Sequence, residues 1–451
     1  MILRALREAS VTMLAAIATL LCATAIEPGP GPAVLAVVLS LALSRSQLDR
    51  DRRGRVEAAI ALPVVGMVAV GVGFLLHRAP WLGALVFIAG MFMSVWLRRF
   101  GPIAGRVGSL IALPFIVPLI TPYIRPTPND HLRTVLLPAV IALLALLWVS
   151  VLHALARRVH FLPEARASER SPSASTGTSS LRPVASTRMA IQMAAALAVS
   201  FGIGFIFFAE RWTWIVLTVV IVLAGNRGRL DVAYKSVLRV FGAAGGTLIA
   251  LSVSVHVGSP TLTAAWILAA LFLGVWLRPL GYAWWALFVT LALALLQGFA
   301  GGSAPQILWL RLEEIMIGAI VGVSAAGFVL PVRSTAAMRR RIHDALAILA
   351  QALDPASPAR AADEFDAAVA RVEQLGPAFR AIRFVTRRFK ALQPADWVDA
   401  LVACRDPAIA LISRKEAPGA VRRAVAAARK AIREPAEILP ALQALRGSLA
   451  E

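Results

Sequence analysis

Arg311, Glu313 and Glu314 stand together at the head of an apolar run that continues to Val332. Ionisable residues beside hydrocarbon are costly, which makes them functional candidates. Glu313 or Glu314 could take up and release a proton, and Arg311 could attract a carboxylate ligand. The same three residues also suit a helix start at a membrane interface, with the acids favouring the helix dipole and the Arg reaching headgroups. Arg98 and Arg278 end two other apolar runs. They read either as snorkelling anchors or as paired cationic gates that recruit anions. Gly242 and Gly246 are four apart, so one helix face could let another backbone approach closely. Pro114, Pro118 and Pro122 also recur every four residues, a pattern that predicts a broken helix lining a path. The chain has no phosphate-binding Gly-x-x-x-x-Gly-Lys-Ser/Thr loop, nucleophile elbow, His-Glu-x-x-His or CxxC. An enzyme reading therefore has no residues to rest on, and neither a cofactor nor a metal is expected.

The elements that must position these charges are apolar helices. Of 451 residues, 59% are hydrophobic and only 16% charged, with a mean hydropathy of +0.74. A soluble domain averages about 25% charged, so the composition predicts an all-α polytopic membrane protein whose first partner is the lipid bilayer. The net charge of +21 falls mostly between apolar runs, and groove-reading motifs are absent. Nucleic acid is thereby excluded as a partner. Cys22 and Cys404 lie in different regions, against a disulfide or a zinc site. The first apolar run lacks a convincing small-residue cleavage site, which makes it a retained helix.

Twelve apolar segments are expected at roughly 10–26, 31–45, 57–76, 80–97, 107–123, 133–155, 189–208, 212–225, 237–256, 261–277, 282–299 and 311–332. The second and eighth are the weakest, leaving 10 to 12 spans. With both termini in the cytoplasm, 21 basic residues of 1–332 fall inside, Arg239 among them, and 5 outside, including Arg211 and Arg311. This is the positive-inside asymmetry. Trp212, Trp214, Trp284, Trp285 and Trp309 read as interfacial belt residues, with stacking on an aromatic ligand as the alternative.

The heptapeptide Val95-Trp96-Leu97-Arg98-Arg99-Phe100-Gly101 returns as Val275-Trp276-Leu277-Arg278-Pro279-Leu280-Gly281, identical at five of seven positions. The recurrence predicts two six-span repeats, parallel in the membrane. Residues 1–156 form the first and 188–332 the second. The Ser/Pro/Thr-rich segment 157–187 is a flexible cytoplasmic linker. Residues 333–451 form a cytoplasmic helical domain of net charge +7. Its stretch Arg380–Lys390 is basic and amphipathic, and suits either a bundle helix or a helix on anionic headgroups. Glu313 and Glu314 have no twin near Arg133, so a site built on them would be asymmetric.

Around Arg211-Trp212-Thr213-Trp214 through Thr218-Val219, Arg227-Gly228-Arg229 and Arg239-Val240-Phe241-Gly242-Ala243-Ala244-Gly245-Gly246, the chain resembles the fusaric acid resistance (FUSC) and aromatic acid exporter families of bacterial inner-membrane proteins. Trp214, Thr218, Val219, Arg239, Gly242 and Gly246 fit the family pattern, while Ala243 replaces a Thr. Arg311-Leu312-Glu313-Glu314-Ile315-Met316-Ile317-Gly318 matches a later element. The resemblance covers about 188–332 and adds Arg239 to the candidate pathway residues. It implies efflux of small organic anions, above all aromatic carboxylates, across the bacterial inner membrane, with a malate-type anion channel as the alternative on the same scaffold. Together with the tandem repeat and the cations at inner span ends, it leads to the expectation that the proton gradient drives the export. It leaves room for a homo-oligomer and for periplasmic efflux partners. A non-transporting envelope scaffold, its tail binding a partner, is the third reading.

Overall fold

The computed structural model describes residues 2–45, 52–120, 131–162, 184–208, 211–254, 259–299, 305–354, 362–389, 393–414, 416 and 418–450. Residues 163–183 of the expected linker lie outside the described residues, as do Pro122 and Arg125. Every regular element among the described residues is helical.

Each of the twelve expected apolar segments coincides with a helix. These are α1 Ile2–Ile26, α2 Pro30–Arg45, α3 Arg52–Arg78, α4 Pro80–Trp96, α5 Pro102–Ile120, α6 His131–Arg158, α7 Ala185–Phe207, α8 Thr213–Leu223, α9 Arg229–Ser254, α10 Pro260–Leu277, α11 Tyr282–Phe299 and α12 Pro305–Phe328. Pro at the first position starts α2, α4, α5, α10 and α12, where its missing N–H costs nothing. Six helices among the described residues are long and apolar enough to cross a membrane, and four further apolar helices are shorter. At 11 residues, α8 spans about 17 Å, well short of a bilayer core of about 30 Å. Ile215 through Val220 are all buried, so α8 is surrounded by protein. A non-spanning helix is tolerated there. α5 runs through Pro114 and Pro118 without interruption, contrary to the expected break. The φ that Pro fixes is itself helical, so each ring costs hydrogen bonds but need not end the helix.

The chain divides into two compact units, Met1–Ala224 with Lys235–Leu330, and Gly225–Tyr234 with Pro331–Glu451. In the first unit α1, α2 and α6 pack together, and so do α7, α8 and α12; α5 lies on α4 and α11 on α10. Across these groups α4 packs on α7, and α10 packs on α1. An aromatic chain joins the early and late helices. Phe87 meets Phe115 and Phe201 edge-on at 5.5 and 5.3 Å, and Phe201 and Phe205 close on Trp212 at 5.4 and 5.3 Å. A Cβ at Gly90 would overlap the Phe115 ring, so Gly90 is what admits that ring.

The second unit contains α13 Ser334–Ala352, α14 Ala362–Glu373, α15 Gly376–Thr386, α16 Pro394–Ala403, α17 Arg405–Arg414, α18 Gly419–Ala431 and α19 Ile438–Ala450. Amphipathic faces converge on Ile342, Leu346, Phe365, Val369, Trp397, Leu401, Val425, Leu442 and Leu445. The 225–234 stretch is tied into this unit by polar bonds. Arg227 donates to the Gln374 side chain at 2.9 Å and to its carbonyl at 3.1 Å, and the Ser334 hydroxyl accepts from Leu230 N–H at 3.0 Å. Gly225 and Gly228 make the connecting turn with φ of 61° and 138°, where a side chain is strained.

Candidate functional site

The late helices of the first unit hold a buried charged cluster. On α12, Arg311, Glu314 and Gly318 follow at helical intervals and share one face. Gly318 seats that face against α8, because a Cβ there would stand 2.7 Å from the Ile215 carbonyl and 2.8 Å from Thr218 Cβ. The close approach brings α12 along the Trp214–Thr218 face of α8. Arg311 Cζ lies 3.6 Å from the centre of the Trp214 ring, a cation–π contact. Arg311 and Glu314 are each only 1% exposed.

Arg239 is likewise 1% exposed. Ten residues inside α9, it sits on the face that also carries Ala243 and Gly246. That face lies against α11. A Cβ at Gly246 would come within 2.4 Å of the Leu287 carbonyl, and one at Gly242 within 2.9 Å of the Ala283 carbonyl. The two glycines therefore bring backbones together, as small residues at helix interfaces do. The contact aligns Arg239 with Thr290 of α11, whose hydroxyl accepts from Arg239 Nη1 at 3.4 Å. Arg239 and Arg311, 72 positions apart in the chain, come within electrostatic reach of each other.

The cluster is short of partners. Arg211 Nη1 lies 3.6 Å from Glu314 Oε1, an ion-pair distance too long for a hydrogen bond. Nε and both Nη of Arg311, Nε and Nη2 of Arg239, the Thr218 hydroxyl and Glu314 Oε1 are buried without a hydrogen-bond partner. An unpaired buried cation is among the most costly arrangements in a protein. Two guanidiniums with open donors form a buried demand for acceptor oxygens, which an anion or water satisfies.

The expected candidates divide. Arg311, Glu314, Arg239, Trp214, Thr218, Gly242 and Gly246 gather on α8, α9 and α12 with their α11 neighbour. Glu313 points away and is exposed, which separates the two adjacent acids. Arg98 and Arg278 are exposed, on 3-10 turns at Leu97–Phe100 and Arg278–Leu280, and do not join the cluster. Arg278 stands within electrostatic reach of Glu8 instead. Trp212 is buried against Phe201 and Phe205. Trp214 gives its ring face to Arg311, whereas Trp284 and Trp309 remain exposed. Charge counting put Arg239 in an inner loop and Arg311 and Arg211 in outer ones. Arg239 and Arg311 in fact lie within helices and are buried. Arg211, Thr290 and Gly318 complete the cluster. Arg239, a candidate through the family resemblance, shares its helix with the packing glycines Gly242 and Gly246.

Residues 193–325 match the sequence model of a family described as fusaric acid resistance protein-like. The matched stretch contains every residue of the buried cluster. No curated protein and no solved structure matches the chain.

Proposed function

We propose that this protein is a multi-pass membrane transporter that moves small organic anions, aromatic carboxylates foremost, with the Arg239–Arg311 cluster as the anion site. The observation that carries the reading is the pair of buried guanidiniums with open N–H donors. A carboxylate that accepts from one would lie in the field of the other, and the planar fork of an Arg suits two oxygens at once. The family match of residues 193–325 supports membrane transport as the broader activity. Because both arginines are sealed from solvent, the site fits a carrier that exposes it by turns better than an open pore.

Glu314 supplies the coupling on this reading. Its carboxylate, between Arg211 and Arg311, offsets part of the positive charge. An arriving anion competes for Arg311 and raises the cost of a second negative charge beside it. Glu314 then takes a proton, so anion and proton occupy the site together and cross the inner membrane in the same direction. Supporting a paired architecture, the packing of α1, α2 and α6 is matched by that of α7, α8 and α12, and α4 on α7 by α10 on α1. The recurring Trp-Leu-Arg segments also share a local form, with a helix end, a 3-10 turn, and Gly101 or Gly281 at φ 110° or 156°. Two repeats of six helices each fit these correspondences.

The test is uptake of radiolabelled acids into proteoliposomes holding the purified chain, with and without a pH gradient. Arg311→Ala should abolish aromatic carboxylate flux, and Glu314→Gln should leave flux that no longer follows the gradient. Unchanged transport in both variants would sink the assignment. Large unitary currents indifferent to pH in bilayer recordings would favour a channel.

A further inference from the structure

We infer that the C-terminal end of α15 is a lipid-docking knuckle, which holds the second compact unit on an anionic membrane surface. The helix has two unlike ends. Near its start Ala378 and Phe379 are buried in the bundle of that unit. Further on, Phe384 is 91% exposed, Val385 67% and Phe389 83%. Large side chains exposed singly are ordinary, but three within six residues, two of them Phe, form a patch that water covers poorly.

The ion pairs of α15 fix which face looks outward. Arg380 bonds Asp399 at 2.7 Å, and Arg383 bonds Asp396 and Asp399 at 2.6 and 2.8 Å. Both acids lie on α16, so these arginines are committed inward and hold the helix in one orientation. Arg387 and Arg388 are exposed beside the bare Phe residues, and Lys390 follows in sequence. Between Glu373 and Asp396 the chain has five basic residues and no acidic one. Apolar rings ringed by unneutralised cations are complementary to the boundary of an anionic bilayer, where rings enter the acyl edge and cations meet phosphates. A protein partner of opposite charge would also match the cations. The bilayer is favoured because the same chain carries helices able to cross it, so that surface is always at hand.

Hydrogen exchange of the full chain tests this, in nanodiscs of phosphatidylcholine alone and of phosphatidylcholine mixed with phosphatidylglycerol. Amides of 382–389 should exchange more slowly with the anionic lipid. Each exposed cation is worth roughly five-fold in membrane partition, so Arg387→Glu with Arg388→Glu should remove the difference. Phe384→Ser with Phe389→Ser should remove it too, while amides around Val398 and Leu401 stay protected and report an intact bundle. Added salt should weaken the wild-type effect. Equal exchange in the two lipids would overturn the inference. So would protection that survives charge reversal, because a protein surface would then be covering the patch.

Discussion

Arg311→Met separates a transport site from a structural ion pair. Met fills a similar elongated volume without charge. The change loses the cation–π contact at 3.6 Å to Trp214, worth about 2 kcal/mol for a desolvated pair. It also removes a buried cation whose three guanidinium nitrogens all lack hydrogen bonds, and the effective penalty for such an ion is several kcal/mol. Glu314 keeps Arg211 at 3.6 Å and is not stranded. The balance is a variant more stable by roughly 1–3 kcal/mol, which should raise the apparent Tm in detergent by a few degrees. A saturating aromatic carboxylate should stabilise the wild type further, by about 2.7 kcal/mol at a hundred-fold excess over Kd. It should leave the variant unmoved. Thermal unfolding with and without the acid measures both terms. A large fall in Tm for Arg311→Met would mean that Arg311 is a structural partner of Glu314. A variant that still gains stability from the acid would remove Arg311 from the binding site.

Other positions give independent checks. Gly246→Ala places a methyl 2.4 Å from the Leu287 carbonyl and should cost about 1–3 kcal/mol as α9 is pushed off α11. Gly202→Ala in α7, where nothing lies within 4 Å, should be neutral or gain up to about 1 kcal/mol from helix propensity. Equal Tm values for the two variants would refute the close approach. Partial burial raises Asp399, but hydrogen bonds from Arg380 and Arg383 and their charges outweigh it and hold the carboxyl below its ordinary value. The stability this gives is present above the unfolded value near 4 and is lost as pH falls through the lower folded value. In Asp399→Asn, acid-induced loss of protection in 376–404 should therefore be smaller than in the wild type. Burial pushes the Cys404 thiol up to about 11, with a small opposing effect of Arg446. Its contribution to stability is complete below the unfolded value near 8.5 and lost as pH rises through 11. Alkylation at pH 8 should spare Cys404 until denaturant is added, and rapid labelling of folded protein would contradict its burial.

The twelve apolar helices were legible because a run of apolar residues bounded by Arg, Pro or Gly needs no tertiary information. The short α8 was legible as a weak segment, but not as a buried one, since burial depends on the helices around it. The cluster was only half legible. Arg311 and Glu314 stood out as charges in an apolar run, and Gly242 and Gly246 as a packing face. The meeting of Arg239 with Arg311 was hidden because a charge count assigns any Arg near a run's end to a loop. A helix that begins ten residues earlier carries that Arg into the interior. The split between Glu313 and Glu314 follows from 100° of helical rotation once α12 is seated on α8, and nothing local says which acid turns inward.

The early helices of the same unit hold a contrasting feature. Leu35, Leu62, Gly66, Val117, Pro118, Pro138 and Ile141 line a cavity of about 130 Å³ walled by α2, α3, α5 and α6. Its walls are mostly apolar, with Glu27 and His77 among the few polar residues on it. Pro118, one of the expected ladder, thus does line a space even though its helix is unbroken. If the two halves are repeats, equivalent helices have diverged into an apolar cavity in one and a cationic site in the other. Offset by 180, Arg239 faces Ala59 and Gly246 faces Gly66, so the packing glycine is kept where the charge is not. An aromatic carboxylate has an apolar ring and one charge, and among the described residues the fully buried arginines, Arg239 and Arg311, belong to the late half. Substitutions that fill the early cavity, such as Gly73→Leu, whose Cβ would meet only the Pro118 side chain at 3.7 Å, should then alter selectivity for ring size without abolishing carboxylate binding. Arg311→Met should abolish binding for every ring. Identical selectivity profiles in Gly73→Leu and wild type would confine recognition to the late helices.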